Sequence, residues 1–219
     1  MEPGQPINRR QLATRGRAWA QALARILARA GLTPNQISVA SIIFAIASGI
    51  AFCAAGRRTE GDAATLLVFG AVGIQLRLLC NMLDGLLAIE CGLKSKTGDL
   101  FNEVPDRVAD ISILLGAGYA LQYPTWGITL GWTAALLAVL TAYVRLLGGS
   151  LGLVQDFGGP MAKQHRMFAL TVGALAAASE VLVRGTTWSL AIALAIIVAG
   201  SAITLVRRLA GISRALEAR

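Results

Sequence analysis

The sequence predicts an all-α integral membrane protein with six transmembrane helices, preceded by an N-terminal amphipathic helix that lies in the membrane interface. Two observations predict this fold class. The 219-residue chain is 55% hydrophobic and 15% charged, with a mean hydropathy of +0.63, which is too apolar for a soluble domain. Its uncharged runs also approach the length of about 20 residues that a helix needs to cross the hydrocarbon core.

The net charge of +8 does not indicate a nucleic-acid partner, because the basic residues stand at the ends of the apolar runs. Anionic headgroups and the positive-inside bias account for basic residues there. The three cysteines have no paired spacing, so the sequence predicts neither a disulfide framework nor a zinc site. We expect no cleavable signal peptide, because no short apolar core with a small-residue cleavage site stands near the N-terminus.

Residues 1–32 form the first predicted unit, a basic segment with an amphipathic helix over residues 9–30. Trp19, Leu23 and Ile26 share one stripe of that helix, with arginines on the opposite side. A helix of this kind lies in the plane of the membrane interface against anionic lipid. A solvated helix in the cytosol is the alternative interpretation.

Residues 33–219 form the second predicted unit, a six-helix membrane domain. Gly31 is a candidate helix C-cap, and Thr33 followed by Pro34 indicates the start of the first span. The predicted spans cover residues 36–55, 62–88, 99–121, 126–147, 167–184 and 187–206. Basic residues are concentrated in alternate connections, which places both termini in the cytoplasm of a bacterial-type inner membrane.

Residues 81–110 contain six of the twelve carboxylates and join the second predicted span to the third on the cytoplasmic side. Ionisable groups at membrane depth are costly unless they are paired, hydrated or bound to a cation, so they indicate a functional site. Helical spacing puts Arg77, Asn81 and Asp84 on one face of the second span. The residues that share one face of the third span are Asp99, Asn102, Asp106 and Asp110.

Clustered carboxylates without balancing basic residues on the same helices imply a bound divalent cation. Oxygen ligands favour magnesium, manganese or calcium over zinc, and such an ion would hold a phosphate-bearing substrate. The alternative is that the acids form interfacial salt bridges. The basic residues considered for those salt bridges are Arg77, Lys94, Lys96 and Arg107.

The same stretch resembles the signature of the CDP-alcohol phosphatidyltransferase family, D-x-x-D-G-x-x-A-R-x8-G-x3-D-x3-D. Without gaps, the pattern falls on Asn81, Asp84, Gly85, Ala88, Ile89, Gly98, Asn102 and Asp106. Five of these eight residues agree with it, and asparagine occupies two of the four carboxylate positions. Some bacterial branches of the family have a similar N-x-x-D-G…G-x3-N-E-x-x-D pattern.

The resemblance implies an enzyme of phospholipid biosynthesis. It would transfer a phosphoalcohol group, in the first instance phosphatidyl, from a CDP-linked lipid donor to a polar or anionic hydroxyl acceptor and release CMP. One or two Mg²⁺ or Mn²⁺ ions are the implied cofactors. A homodimer in the lipid bilayer, with its active site toward the cytoplasm, is expected by the same similarity.

The resemblance also implies roles for individual residues. Asp106 is the expected general base on the acceptor hydroxyl. The expected metal ligands are Asn81, Asp84, Asn102 and Asp106. Because the asparagines leave cation charge uncompensated, Asp110 is a candidate auxiliary acid. The expected nucleotide-binding residues are Arg77, Gly85, Ala88 and Gly98.

Arg77 is included because Ile89 replaces the motif arginine and cannot contact phosphate. Arg77 precedes Asn81 by one helical turn and could take over that contact. An ordinary ion pair between Arg77 and Asp84 is an equally supported alternative.

A second polar group, between the fourth and fifth spans, faces the same side of the membrane. In the family this region contributes to the acceptor pocket, so Arg145, Lys163 and Arg166 are predicted to bind an anionic acceptor. Contact with lipid headgroups is the alternative for the last two. His165 is expected to be a surface group.

Two other functions remain open from the sequence. A non-catalytic relative would bind nucleotide or lipid without turnover, and the missing motif residues favour it. A cation transporter would use the acids as a pathway, but these acids cluster at one end of the helices instead of being spread across membrane depth.

Overall fold

A computed structural model of the protein describes residues 18–90, 92–93, 96–121 and 126–219. Within these ranges every regular element is an α-helix, which confirms the predicted all-helical fold. The helices are α1 (Ala18–Arg29), α2 (Pro34–Ala55), α3 (Glu60–Glu90), α4 (Gly98–Ala120), α5 (Gly127–Ser150), α6 (Lys163–Arg184) and α7 (Trp188–Glu217).

Five of these helices are long and apolar enough to cross a membrane, namely α2, α3, α5, α6 and α7. The sixth predicted span corresponds to α4, whose 23 residues suffice in length at 1.5 Å per residue. Its N-terminal half carries acids of the 81–110 segment. These charged residues make α4 less apolar than the other five helices.

The largest error in the predicted boundaries is at α7, which continues to Glu217 instead of ending at residue 206. Likewise, α6 begins at Lys163 and not at residue 167. Both predictions ended the helix where charged residues begin. The backbone remains helical there because Arg166 and Arg208 are buried with internal hydrogen-bond partners, so their charge does not interrupt the packing of the helices.

Sequence signals at the start of α2 are confirmed in detail. Thr33 is the N-cap, its hydroxyl accepts from the backbone N–H of Gln36, and the Gln36 side chain accepts from the N–H of Thr33. This is a capping box followed by proline in the first turn. Gly31 has a φ of 80°, a left-handed conformation that favours glycine after a helix end.

The helix α1 packs on α3 mainly through small residues and leaves part of the predicted apolar stripe exposed. Ala20 and Ala24 are the buried residues of α1, whereas Trp19 and Ile26 are 50% and 60% exposed. Small side chains allow close contact with α3, and Leu23 and Leu27 also pack against this buried cluster, whereas Trp19 and Ile26 remain on the outer side. The first part of the predicted helix, residues 9–17, lies outside the described residues.

The other six helices pack in a closed ring. α2 contacts α3 and α4, α4 contacts α5, α5 contacts α7, α7 contacts α6, and α6 contacts α3. The contact between α2 and α4 is especially close, because a Cβ atom added at Gly116 would lie 2.2 Å from the carbonyl oxygen of Gly49. Since α4 carries Asp106 and Asp110, this backbone contact fixes the position of both acids relative to α2.

Candidate active site

Asp106 lies at the centre of the candidate site, where α3, α4 and α6 meet. Its Oδ1 atom accepts hydrogen bonds from Nδ2 of Asn81 at 2.6 Å and from Nη2 of Arg77 at 3.2 Å. Its Oδ2 atom contacts the ammonium group of Lys163, and Nη2 of Arg107 lies 3.9 Å away. Asp106 is only 6% exposed, so cationic side chains from three helices surround a buried carboxylate.

Asp110, one turn further along α4, belongs to the same buried ion-pair network. Nη2 of Arg77 lies 3.1 Å from its Oδ1 atom, and Nη2 of Arg166 lies 2.8 Å from its Oδ2 atom. Arg77 therefore bridges the two aspartates of α4. Removing one partner of a buried ion pair typically costs about 3–5 kcal/mol, because the remaining charge is left uncompensated. We infer that this network holds α3, α4 and α6 together.

Asp84, on α3, faces α2 and has a neutral partner. The hydroxyl of Ser38 donates to its Oδ2 atom at 2.6 Å, and both residues are buried. The sequence prediction did not include Ser38. The only signal was a serine within an apolar span, and serine is common in packed membrane helices without being functional.

Arg145 of α5 connects α4 to the segment between α5 and α6. Its Nη2 atom donates to both carboxylate oxygens of Glu103 at 2.6 Å, and its Nη1 atom donates to Gln155 at 2.8 Å. Its guanidinium carbon also lies 4.9 Å from the ring centre of Phe157. The guanidinium thus lies at the rim of the site, held by an acid, an amide and an aromatic ring.

Arg208 of α7 fixes the segment between α5 and α6, a role that the sequence prediction missed. It donates to the backbone oxygens of Thr141 at 2.6 Å and Gly158 at 3.0 Å. Nearby, the N–H of Met161 donates to the hydroxyl of Thr204 at 3.0 Å. From the sequence, Arg208 is one of the basic residues beyond the last predicted span that fit the positive-inside pattern, and only the packing of α7 against α5 reveals its internal contacts.

Several curated proteins have similar sequences. Phosphatidylinositol phosphate synthase of Mycolicibacterium smegmatis is 26% identical over 194 residues, covering 85% of this chain and 80% of that protein. Its counterpart of the same name in Streptomyces avermitilis is 27% identical over 197 residues, covering 87% and 76%. Inner membrane protein YnbA of Escherichia coli K12 is 26% identical over 147 residues, covering 67% and 69%. No protein-family model matches the sequence.

Solved structures share the fold. The phosphatidylinositol phosphate synthase of Mycobacterium tuberculosis in complex with manganese and citrate has a TM-score of 0.73 and 21% identity, with 88% of each chain covered. The same enzyme with CDP-DAG bound has a TM-score of 0.72 and 22% identity, covering 88% of this chain and 92% of that one. The motif, the sequence relatives and the shared fold agree. They confirm the predicted resemblance of the chain to the CDP-alcohol phosphatidyltransferase family.

The three departures from the signature of the CDP-alcohol phosphatidyltransferase family have different surroundings. Asn81 is half-buried and contacts Asp106 directly. Ile89 is 55% exposed, and Asn102 is also exposed. Among the remaining motif positions, Gly85, Ala88 and Gly98 are half-buried. Only the first departure therefore changes the hydrogen bonding of a retained motif carboxylate.

The expectation that the acids lack balancing basic residues is wrong. Asp106 and Asp110 are balanced by Arg77, Lys163 and Arg166. The prediction counted only bases on the same two helices, whereas two of the three cations come from α6. Helical spacing cannot reveal a partner that tertiary packing supplies from a distant part of the sequence.

Two predicted ligand-binding arginines are instead internal. Arg77 is fully buried and forms the ordinary ion pairs of the alternative interpretation, although with Asp106 and Asp110 instead of Asp84. Arg166 is 3% exposed and also donates to the backbone oxygen of Met161 at 3.0 Å. Neither acceptor binding nor headgroup contact describes Arg166 in this arrangement. The structure supports the surface position of His165, which is exposed.

The described residues offer few free oxygen donors to a divalent cation. No group of three His, Cys, Asp or Glu side chains within the described ranges has a metal-site arrangement. Asp84, whose hydrogen-bond partner is a neutral hydroxyl, offers a carboxylate oxygen of the hard type that Mg²⁺ and Mn²⁺ prefer. Asp106 is already shared among Asn81, Arg77 and Lys163. The donors available for one ion are therefore Asp84, the amide oxygen of Asn81 and a part of Asp106.

We expect Ser38→Ala to weaken Mn²⁺ binding by about tenfold, because loss of a hydrogen bond that orients a metal ligand has effects of this order. The measurement is a titration of the purified chain with Mn²⁺, followed by electron paramagnetic resonance. Ser41→Ala is the matched control, since the hydroxyl of Ser41 is buried and donates only to the backbone oxygen of Ser38. Equal weakening in both variants would contradict the role of Ser38.

Proposed function

We propose that the protein transfers a phosphatidyl group from a CDP-linked lipid donor to a hydroxyl acceptor and releases CMP. The observation that carries the proposal is the placement of Asp84 and Asp106. These two retained motif carboxylates lie on facing helices at one end of the bundle, buried but close enough for their charges to interact. A lipid donor can reach this end from the bilayer, and a polar acceptor can reach it from the cytoplasm.

The relatives support the same chemistry. Proteins named phosphatidylinositol phosphate synthase align with most of this chain, and a structure with the same fold has CDP-DAG bound. Another has manganese bound. These findings favour a CDP-linked diacylglycerol donor and a divalent cation for this chain as well.

In the proposed reaction, Asp106 accepts the proton of the acceptor hydroxyl. The hydroxyl oxygen forms a bond to the phosphorus that carries diacylglycerol, and the bond from that phosphorus to the oxygen of CMP breaks. CMP leaves with the electron pair of that bond. A divalent cation held by Asp84, Asn81 and Asp106 would stabilise negative charge on the leaving phosphate. Asn102 is exposed and would join the metal site only as an outer ligand.

The surface for the nucleotide would be formed by Gly85, Ala88 and Gly98, where small side chains allow a ligand to approach the helix backbone. Arg77 is buried below this surface and would not contact the nucleotide; its ion pair would hold Asp106 in position. Asp110 would support it in the same way through Arg77.

An acceptor that carries phosphate fits the basic groups on the opposite side of Asp106. Arg145 is held at the rim by Glu103 and Gln155, and Lys163 is a quarter exposed. Arginine and lysine are the usual partners of phosphate groups. We propose a phosphorylated polyol as the acceptor class, with Arg145 as the main contact and Lys163 on the side of the reacting hydroxyl.

We further propose that α4 is the sixth transmembrane helix, that residues 33–219 form the membrane domain and that residues 1–32 lie in the interface. The exposed Trp19 and Ile26 would then contact lipid. Both termini and the acids would face the cytoplasm, in a bacterial-type inner membrane. A homodimer is proposed from the family alone.

A non-catalytic relative is the second candidate. The observation in its favour is that Asp106 is engaged on both oxygens by Asn81, Arg77 and Lys163. A protein of this kind would bind the CDP-linked lipid without releasing CMP.

The test is identification of the lipid product by mass spectrometry. Purified protein would be incubated with CDP-diacylglycerol, Mn²⁺ and a panel of polyols and phosphopolyols. We expect a new phospholipid with one phosphorylated acceptor and none with its unphosphorylated form. Arg145→Gln should raise the KM for that acceptor by about tenfold or more, since a charge-assisted phosphate contact is worth roughly 1.5–3 kcal/mol. A product that forms equally well from both acceptors would contradict the anionic acceptor.

A further inference from the structure

The ammonium group of Lys163 lies beside Asp106, at a position where a metal cation would otherwise be needed to balance this carboxylate. Its ammonium group contacts Oδ2 of Asp106, the carboxylate oxygen that Arg77 and Asn81 leave open. It is also close enough to interact electrostatically with Asp84. Lys163 is the first residue of α6, so the ring contact between α3 and α6 brings it to the acids.

Within the described ranges, the ion pairs of the site leave only one acid free for a divalent ion. Three buried acids, Asp84, Asp106 and Asp110, lie together with Arg77, Arg166 and Lys163. Asp110 and one oxygen of Asp106 are compensated by the two arginines. The other oxygen of Asp106 is compensated by the lysine, which leaves Asp84 as the acid without an ion pair among the described residues.

We propose that this site takes a single divalent cation, held mainly by Asp84 and Asn81 beside Asp106, and that the ammonium group of Lys163 replaces a second one. The inference rests on the proposed function, because it assigns the cation requirement of that same site. An ammonium group in contact with a buried carboxylate occupies its lone pairs. It also repels an approaching divalent ion, because like charges at close range in a buried site are only partly screened. The lysine would therefore provide part of the positive charge that faces the donor phosphates.

The two asparagines of the motif fit this assignment. An amide oxygen can ligate a hard cation, but it adds no negative charge. Asn81 and Asn102 thus remove negative charge from the site, and Lys163 adds positive charge beside Asp106, so both leave less negative charge for a second cation to neutralise. A site with four carboxylates in these positions would have two further negative charges to balance.

The first experiment counts the ions and needs no variant. The purified full-length chain in lipid nanodiscs would be dialysed against saturating Mn²⁺, and bound manganese would be counted by mass spectrometry. We expect one Mn²⁺ per chain. Two ions per chain would overturn the inference while leaving the proposed metal-dependent function intact. No bound ion would overturn both.

The second experiment restores the two missing motif carboxylates, once in the presence of Lys163 and once in its absence. In the double variant Asn81→Asp and Asn102→Asp, we expect a second Mn²⁺ to bind weakly. Adding Lys163→Met should tighten the second ion by at least about tenfold, since the repelling charge is removed. The control is Lys96→Met in the same background, because Lys96 is exposed and forms no ion pair with the three acids. If the second ion binds with the same affinity whether residue 163 is lysine or methionine, the inference is overturned.

Discussion

Replacing Asp106 with asparagine is expected to reduce CMP release by about a hundredfold or more, the usual contribution of a positioned general base. The amide has nearly the same shape but cannot accept the proton of the acceptor hydroxyl. It also loses the negative charge that holds Lys163 and Arg77. The measurement is the initial rate of CMP release from CDP-diacylglycerol, corrected for the amount of folded protein.

Asp110→Asn is the matched control for this prediction. Asp110 is as buried as Asp106 and is paired with the same Arg77, but it lies outside the motif. Both variants leave a buried arginine partly uncompensated, so both should lose stability. Asp106→Asn should nevertheless lose at least about ten times more turnover per folded molecule. Equal losses would show that Asp106 acts only through the ion-pair network, and unchanged turnover would exclude it as the base.

The second large effect is expected at the contact between α2 and α4. Gly116→Ala should destabilise the protein by about 1–3 kcal/mol, because overpacking of a tight interface costs this much. The new Cβ would lie 2.2 Å from the carbonyl oxygen of Gly49, a backbone atom that cannot turn aside. For a chain of this size the apparent Tm should fall by about 2–12 °C. Thermal unfolding in detergent would measure it.

Gly211→Ala in α7 is the control for this substitution. A Cβ at Gly211 would meet no atom within 4 Å, and alanine has the higher helix propensity. We expect the Tm of this variant to be unchanged or higher. If both variants unfold at the same temperature, the close approach of α2 and α4 does not determine stability.

The fold was predictable to the level of individual helices, because apolar runs and capping residues are local signals. Thr33 and Gly31 illustrate this, since both act where the sequence places them. The end of α7 was not predictable from hydropathy, because Arg208 continues the helix and binds backbone oxygens of other segments. The contact of α1 with α3 was not predictable from the apolar stripe, because the fully buried residues in it are the alanines Ala20 and Ala24.

For the site, the spacing of the motif correctly brought Arg77, Asn81 and Asp106 together. The partners from other helices could not be derived, since Ser38 and Lys163 are far away in sequence and reach the acids only through packing. This is why the balance of charge was misjudged. Residues 94–95 and 122–125 lie outside the described ranges, so the predicted partner Lys94 stays a prediction.

The most direct test of the central claim is CMP release from CDP-diacylglycerol by the purified protein, before and after chelation of divalent cations. The proposed transferase should release CMP in the presence of Mn²⁺ and a phosphopolyol, stop when the ion is removed and resume when it is restored. Saturable, metal-dependent binding of CDP-diacylglycerol without any CMP release across the acceptor panel would contradict catalysis and favour the non-catalytic relative.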